Sequence, residues 1–278
     1  MRTMAELFGA AEKGSISLGE AALRWQMAES RQSEEAVKAR MAQALAVMKE
    51  SVQAGLDPNL RSVSGMVGGG AAKLAHPAQA GRFGLLGKAA AYALSVAESN
   101  ACMGKIVAAP TAGSCGILPG ALLAAQEEQG FEEDALVMAL FAAAAVGRVI
   151  ALSATISGAQ GGCQAESGTA AAMTAAALVQ LYGGSPRQAL DAAGFAIMNM
   201  MGLVCDPVHG LVEVPCVYRN VGGVSQALAA AQMALGGLAC PIEWDALIGA
   251  MKDVGESLPL SLRETGEGGC AACSFCAP

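Results

Sequence analysis

The chain is poor in charge, in aromatic rings and in histidine. Charged residues fill 15% of its 278 positions, aromatics 4%, and the only histidines are His76 and His209. Basic residues are outnumbered by acids, 17 to 24, for a net charge of −7. A phosphate backbone needs clustered cations, so nucleic acid is not the expected partner. No uninterrupted apolar run reaches the ~18–20 residues that cross a bilayer. The longest, "ALVMALFAAAAVG" (135–147) and "TAAAMTAAALVQLYGG" (169–184), are dominated by alanine, and the first ends at Arg148. No membrane association is expected. The opening "MRTMAELFGAAEKG" has no apolar h-region, so no secretory leader is read and the expected location is cytoplasmic.

Small apolar residues and glycine are abundant instead: 54% of the chain is hydrophobic and 35 residues are glycine. Alanine and glycine let helices approach closely, and alternation with a period of two never persists, so helices are expected and strands are not. "SLGE" (17–20) has capping-box spacing. The apolar residues from there to about 54 recur at helical intervals, which predicts a long helix or a helix pair. Further helices are predicted over 85–104, 121–128, 132–157, 168–182, 186–203, 222–236 and 243–255. Between them lie glycine-rich loops at 64–74, 109–120 and 157–168. With no internal repeat and no low-complexity linker, one all-α domain spanning 1–278 is the expectation.

In a reducing compartment, nine cysteines point away from structural disulfides and towards metal ligands, catalytic groups or buried thiols. Cys163, Cys205 and Cys216 each sit in or beside a loop rich in Gly or Pro at a helix boundary. The residues alone leave two readings open for them, metal ligation and packing as small hydrophobes. "CDPVHGLVEVPC" (205–216) poses the question most sharply, with two cysteines flanking two prolines, Asp206 and His209. The terminal "CAACSFCAP" (270–278) places Cys270, Cys273 and Cys276 at C-x-x-C-x-x-C spacing, part of a ferredoxin-like run. It reads equally well as a thiol tail that reaches into a site.

Four longer phrases carry a resemblance: "NACMGKIVAAPTAGSCGILPG" (100–120), "SGAQGGCQAESGTAAAMTAAALV" (157–179), "CDPVHGLVEVPCVYRN" (205–220) and "LPLSLRETGEGG" (258–269). Together they resemble the alpha subunit, or alpha domain, of the iron–sulfur-dependent L-serine dehydratases. The resemblance implies a helical catalytic domain whose glycine-rich loops converge on a cluster. It also implies deamination of L-serine to pyruvate and ammonia without pyridoxal phosphate, in amino-acid catabolism that can feed gluconeogenesis. Cys163, Cys205 and Cys216 match the three cysteines that hold a [4Fe–4S] cluster in the family. One iron is thereby left open to act as a Lewis acid on the serine hydroxyl.

The family's beta region resembles nothing in this chain. A separate beta subunit, in a heterodimer or a higher oligomer, is therefore implied, and it is the preferred source of the base that removes the Cα proton. His209 is the candidate base within the chain. Cys276 is the candidate for a tail thiol that blocks the open iron until substrate displaces it. For the substrate carboxylate the candidates are Lys73, Asn100 and the loop Thr111, Ala112, Gly113 and Ser114, with Arg263 as a second possible cation. Glu166 and Asn220 flank the matched cysteines and are expected to support them. Two other functions remain open: a related cluster-dependent lyase that takes sulfide from L-cysteine, and an iron–sulfur electron carrier using the terminal cysteines.

Overall fold

Serine and threonine caps set the first helices. The Thr3, Ser17 and Ser33 side chains accept from the N–H groups of Glu6, Glu20 and Ala36, which starts α1 (Met4–Gly14), α2 (Leu18–Ser30) and α3 (Glu34–Gly55). The segment predicted as one helix or two is thus a pair, broken where Arg31 turns left-handed. The structure, a computed structural model, describes residues 1–273. After α3 come α4 (Gly70–Ala75), α5 (Pro77–Ala80), α6 (Gly84–Ala101), α7 (Ile117–Gln129), α8 (Glu133–Ser153), α9 (Gly158–Gly161), α10 (Thr169–Leu181), α11 (Pro186–Met200), α12 (Cys216–Leu235) and α13 (Trp244–Ser257). Among the described residues no strand forms, and the all-α expectation holds; an isolated parallel bridge joins Cys205 to Arg263.

The core is built around α10. Every residue from Thr169 to Val179 is buried, and the helix packs against α7, α8, α11 and α12. An alanine-rich helix buries little area per residue, so its stability comes from close approach and dense packing rather than from large side chains. The same principle acts between α3 and α6. A Cβ on Gly55 would lie 1.8 Å from the Ser95 carbonyl oxygen, so only glycine lets those backbones meet. Two hydroxyls trapped in this core bond within their own helices: Thr174 donates to the Ala170 carbonyl at 2.7 Å and Ser51 to the Met48 carbonyl at 2.8 Å.

Four sequence expectations need correction. Residues 4–14, for which no helix is predicted, form α1, with Met4, Leu7 and Ala11 facing the core at helical spacing. The glycine-rich stretch 64–74 contains most of α4, whose first N–H groups are held by the Glu98 carboxylate of α6 at 2.9 and 3.0 Å. Helix α12 begins at Cys216, six residues before the predicted start at 222. Gly222 and Gly223 look like a helix stop but lie inside it: a Cβ on Gly223 would meet Ile117 Cδ1 at 2.3 Å, so this glycine is a packing notch. Finally, the helix predicted over 132–157 forms as α8 but stops earlier, at Ser153, carrying the apolar stretch past Arg148. That makes α8 long and apolar enough to cross a membrane, with a mean hydropathy of 2.3, but 67% of that span is buried inside the fold. It is placed as a core helix.

Candidate functional site

Cys163, Cys205 and Cys216 come together at one end of the bundle. Cys163 opens a single π-turn, Gln164–Gly168, that leads into α10. Such turns put side chains where an α-helix would not. The turn is fixed by Gln164, which accepts from the Gly202 N–H and donates to the Met251 carbonyl, each at 2.8 Å. Cys216 is the first residue of α12. Cys205 lies in an extended segment clamped to the 260–264 strip: its N–H donates to the Leu262 carbonyl at 2.9 Å, and its carbonyl accepts from Glu264 N–H at 2.7 Å. The "LPLSLRETGEGG" phrase thus acts as a strap across Cys205.

Helical spacing brings the partners of these thiols onto the same face. Glu166 is three residues beyond Cys163, and Arg219 and Asn220 are three and four beyond Cys216. Asn220 is fully buried and makes three bonds: it accepts from Gly116 N–H at 2.8 Å and donates to the carbonyls of Gly113 at 2.8 Å and Cys216 at 3.0 Å. It ties the 109–116 loop to the start of α12. Arg219, which the sequence reading passed over, donates to the Val204 carbonyl at 2.7 Å. Its charge also acts on the Cys163 thiol, whose own partner is the Ser167 hydroxyl at 3.1 Å, and Arg219 lies 2.7 Å from Asp206 Oδ1, a close charge contact rather than a well-directed hydrogen bond. Both charges are largely buried, so removing either would strand the other at a cost of about 3–5 kcal/mol. The other Asp206 oxygen accepts from the Cys270 N–H at 2.6 Å, which brings the C-terminal segment to the residue beside Cys205.

Charge in this pocket is dominated by acids. Burial pushes all three thiols up, Cys216 to about 12, and Cys163, Glu166 and Glu264 add negative charge around Cys205. Burial likewise raises the Glu166 carboxyl, opposed by a hydrogen bond from Thr111 and reinforced by Glu264. Three thiolates beside these carboxylates, with Arg219 as their cation, would need a further positive centre to be stable. Gly158 marks the space: a Cβ there would lie 2.8 Å from both Cys205 Sγ and Glu166 Oε2. Among the described residues no three His, Cys, Asp or Glu side chains close on a point suited to a single metal ion. A lone ion would need donors at ~2.0–2.3 Å, whereas a polynuclear cluster takes more widely spaced thiolates. An all-sulfur donor set in a glycine-lined space fits iron–sulfur chemistry.

The remaining candidates divide by position. Asn100 donates to the Ala112 carbonyl at 3.2 Å, and the Thr111 and Ser114 hydroxyls are 3.1 Å apart. The carboxylate oxygens of Glu166 lie 3.8 Å from a Cβ built on Gly113. Asn100 and the 111–114 loop therefore belong with the thiols. Lys73 is exposed on α4, and His209 is exposed at the tip of the 205–216 turn with a left-handed backbone. Neither is brought into the cradle. Arg263 pairs through its backbone with the Cys205 segment. Cys276 lies outside the described residues.

The raised thiols give a pH prediction for the chain without a bound metal centre. An ordinary cysteine titrates near 8.5, so the unfolded chain loses these protons first. The stability they contribute is complete below about pH 8.5 and is lost as the pH climbs towards about 12. The urea midpoint is expected to fall between about pH 8 and pH 10, and less so in Cys216→Ser. An identical fall in both proteins would contradict this account.

Comparison with known proteins gives the following. The model of the serine dehydratase alpha chain family matches residues 13–271. The chain is 43% identical to the "Probable L-serine dehydratase, alpha chain" of Bacillus subtilis over 274 residues, 98% of this chain and 91% of that protein. It is 40% identical to the "L-serine dehydratase, alpha chain" of Peptoniphilus asaccharolyticus, again over 274 residues, 98% of this chain and 94% of the relative. Against "L-serine dehydratase TdcG" of Escherichia coli it is 42% identical over 188 residues, 66% of this chain but 41% of the longer relative.

Proposed function

The chain belongs to the serine dehydratase alpha chain family, and we propose that it deaminates L-serine to pyruvate and ammonia as a carbon–nitrogen lyase in the cytoplasm. The observation that carries this reading is the meeting of Cys163, Cys205 and Cys216 with Glu166 around the space beside Gly158. In the proposal these thiolates hold a [4Fe–4S] cluster within a single domain, 1–278. When bound, the cluster supplies Lewis acidity that helps the β-hydroxyl leave.

The chain's own residues then do the following. The N–H groups of the Ala112–Ser114 turn and the Thr111 hydroxyl take the substrate carboxylate. Asn220 holds that turn at a fixed distance from Cys216. Glu166, whose carboxyl burial shifts towards the protonated form, is the group placed to pass a proton from its Oε atoms to the departing hydroxyl. Ser167 orients Cys163, and Arg219 offsets part of the local negative charge. The bond from the Cys270 N–H to Asp206 holds residue 270 beside Cys205, and Cys276 is proposed as the thiol that covers the site until substrate displaces it.

The base that takes the Cα proton comes from a separate beta chain. The relatives named as alpha chains, and the longer Escherichia coli relative of which this chain spans 41%, support such a partner. Around the mouth of the site, Val63 is 86% exposed and Met103 82%, with Leu211 and Val212 at 40% each. They form one rim. Glu213 accepts from Ser62 and Ser64 on either side of Val63, Val212 abuts Gly113, and the Met103 N–H donates to the Asn100 carbonyl at 3.0 Å. The beta chain is proposed to seat there.

Anaerobic reconstitution with iron and sulfide, with and without the beta chain, tests the whole reading. Pyruvate from L-serine is expected only when cluster and partner are both present, and Cys276→Ser should alter the cluster spectrum. Sulfide from L-cysteine in place of pyruvate from L-serine, or Cα-proton exchange by the isolated loaded chain, would overturn it.

A further inference from the structure

A second site lies away from the thiols, between α2, α3 and α8. It is a cup of about 330 Å³, at the lower end of the ~300–1,000 Å³ range of small-molecule pockets. Its wall is apolar: Trp25 from α2, Met41 from α3, Phe141 and Ala144 from α8. Helix α8 is buried on most of its surface, and Ala144 is an exposed position where a small side chain leaves the cup open.

The rim is cationic, in a protein with a net charge of −7. Arg148 is clamped by Glu29 through two bonds, at 2.7 and 2.6 Å, and lies 4.2 Å over the Trp25 ring. That guanidinium is neutralised and acts as part of the wall. Arg40 also lines the cup, and among the described residues it makes no ion pair or hydrogen bond. The site therefore presents an apolar body and one uncommitted positive charge. A cation would gain nothing from this pairing, and a neutral polar solute could use the Gln26 and Gln32 amides but would leave Arg40 unpaired, whereas a monoanion with a hydrophobic tail satisfies both halves.

We propose that this cup binds a small amphiphilic monocarboxylate, its aliphatic or aromatic body on Trp25, Met41 and Phe141 and its carboxylate on Arg40. The proposal concerns a site separate from the cluster cradle and is tested by binding alone, so its outcome is independent of the serine dehydratase reading.

The probe is octanoate, titrated calorimetrically into the full chain, with octanamide as the neutral control. Saturable one-to-one binding of octanoate is expected, with octanamide weaker by about tenfold, the usual size of one charge-assisted hydrogen bond. Arg40→Gln should weaken octanoate by a similar factor and leave octanamide unchanged. Ala144→Leu places a larger side chain in the cup and should abolish binding of both, while its circular dichroism and melting stay those of a folded protein. Absence of saturable binding by wild type, equal affinity for the acid and the amide, or full binding by Ala144→Leu would each overturn the proposal. So would a concentration-dependent dimer that Ala144→Leu dissociates, because a second copy of the chain would then be the occupant.

Discussion

Cys205→Ser is expected to reduce pyruvate formation from L-serine by at least about a thousandfold and to remove the iron–sulfur absorbance of the reconstituted protein, leaving the helical fold intact. Serine occupies nearly the same volume, and a single buried substitution of this size costs roughly 1–2 kcal/mol. The fold therefore survives while the donor is lost. Cys163→Ser and Cys216→Ser should behave alike, because each thiol is one of three that share one space. The discriminating measurement is iron content beside activity. A variant that keeps full cluster content and rate would remove its residue from the ligand set. Cys115→Ser is the control: that thiol is buried against the Val96 carbonyl, away from this group, and its loss should touch stability alone.

Asn220→Ala is expected to have the next largest effect, and it acts through position rather than contact with a reacting atom. The change leaves the buried Gly116 N–H without its acceptor and the Gly113 carbonyl without the amide donor, while the Cys216 carbonyl keeps the helical N–H of residue 220. A cost of about 2–4 kcal/mol follows, since one unsatisfied buried group costs about 1–3 kcal/mol. The denaturant midpoint reads that loss. Its functional signature is a rise in KM for L-serine together with a fall in kcat, because the turn proposed to take the carboxylate and the Cys216 end of α12 lose their common anchor. Asn220→Asp separates geometry from packing. It keeps the acceptor for Gly116, loses both donations and adds charge beside Glu166, so it should rescue neither stability nor rate. Full activity in Asn220→Ala would show that the loop is held by other contacts.

Much of this architecture was legible from short-range chemistry. The Ser17 cap, the alanine-rich periodic runs and the absence of alternation lead to the observed helical bundle. The three cysteines stand out because each sits among glycine or proline at a helix boundary, and their resemblance to one family assigns them together. What escaped the sequence depends on contacts between distant segments. Arg219 reads as an ordinary surface charge in "VYRN". Only its i+3 relation to Cys216 hints otherwise, and that relation is invisible while the helix is thought to begin at 222. The Gly222–Gly223 pair misleads for the same reason: whether glycine stops a helix or admits a neighbour is decided by Ile117, more than a hundred residues away in the chain. His209, which drew attention as one of two histidines, is displayed at an exposed turn while the neighbouring acids and thiols face inward.

The strap across Cys205 also has a bearing on biosynthesis. The segment that bonds both faces of the Cys205 peptide follows α10, α11, α12 and α13 in the chain and ends at Glu264. During translation, Cys163 and Cys216 leave the ribosome well before the residues that hold the third thiol in place. The nascent chain therefore carries reactive cysteines and an unburied, alanine-rich α10 for as long as α11, α12 and the strap are still being made. On the proposed reading, iron and sulfur delivered before residue 264 is made would meet two thiols of the cradle without the strap that fixes the third.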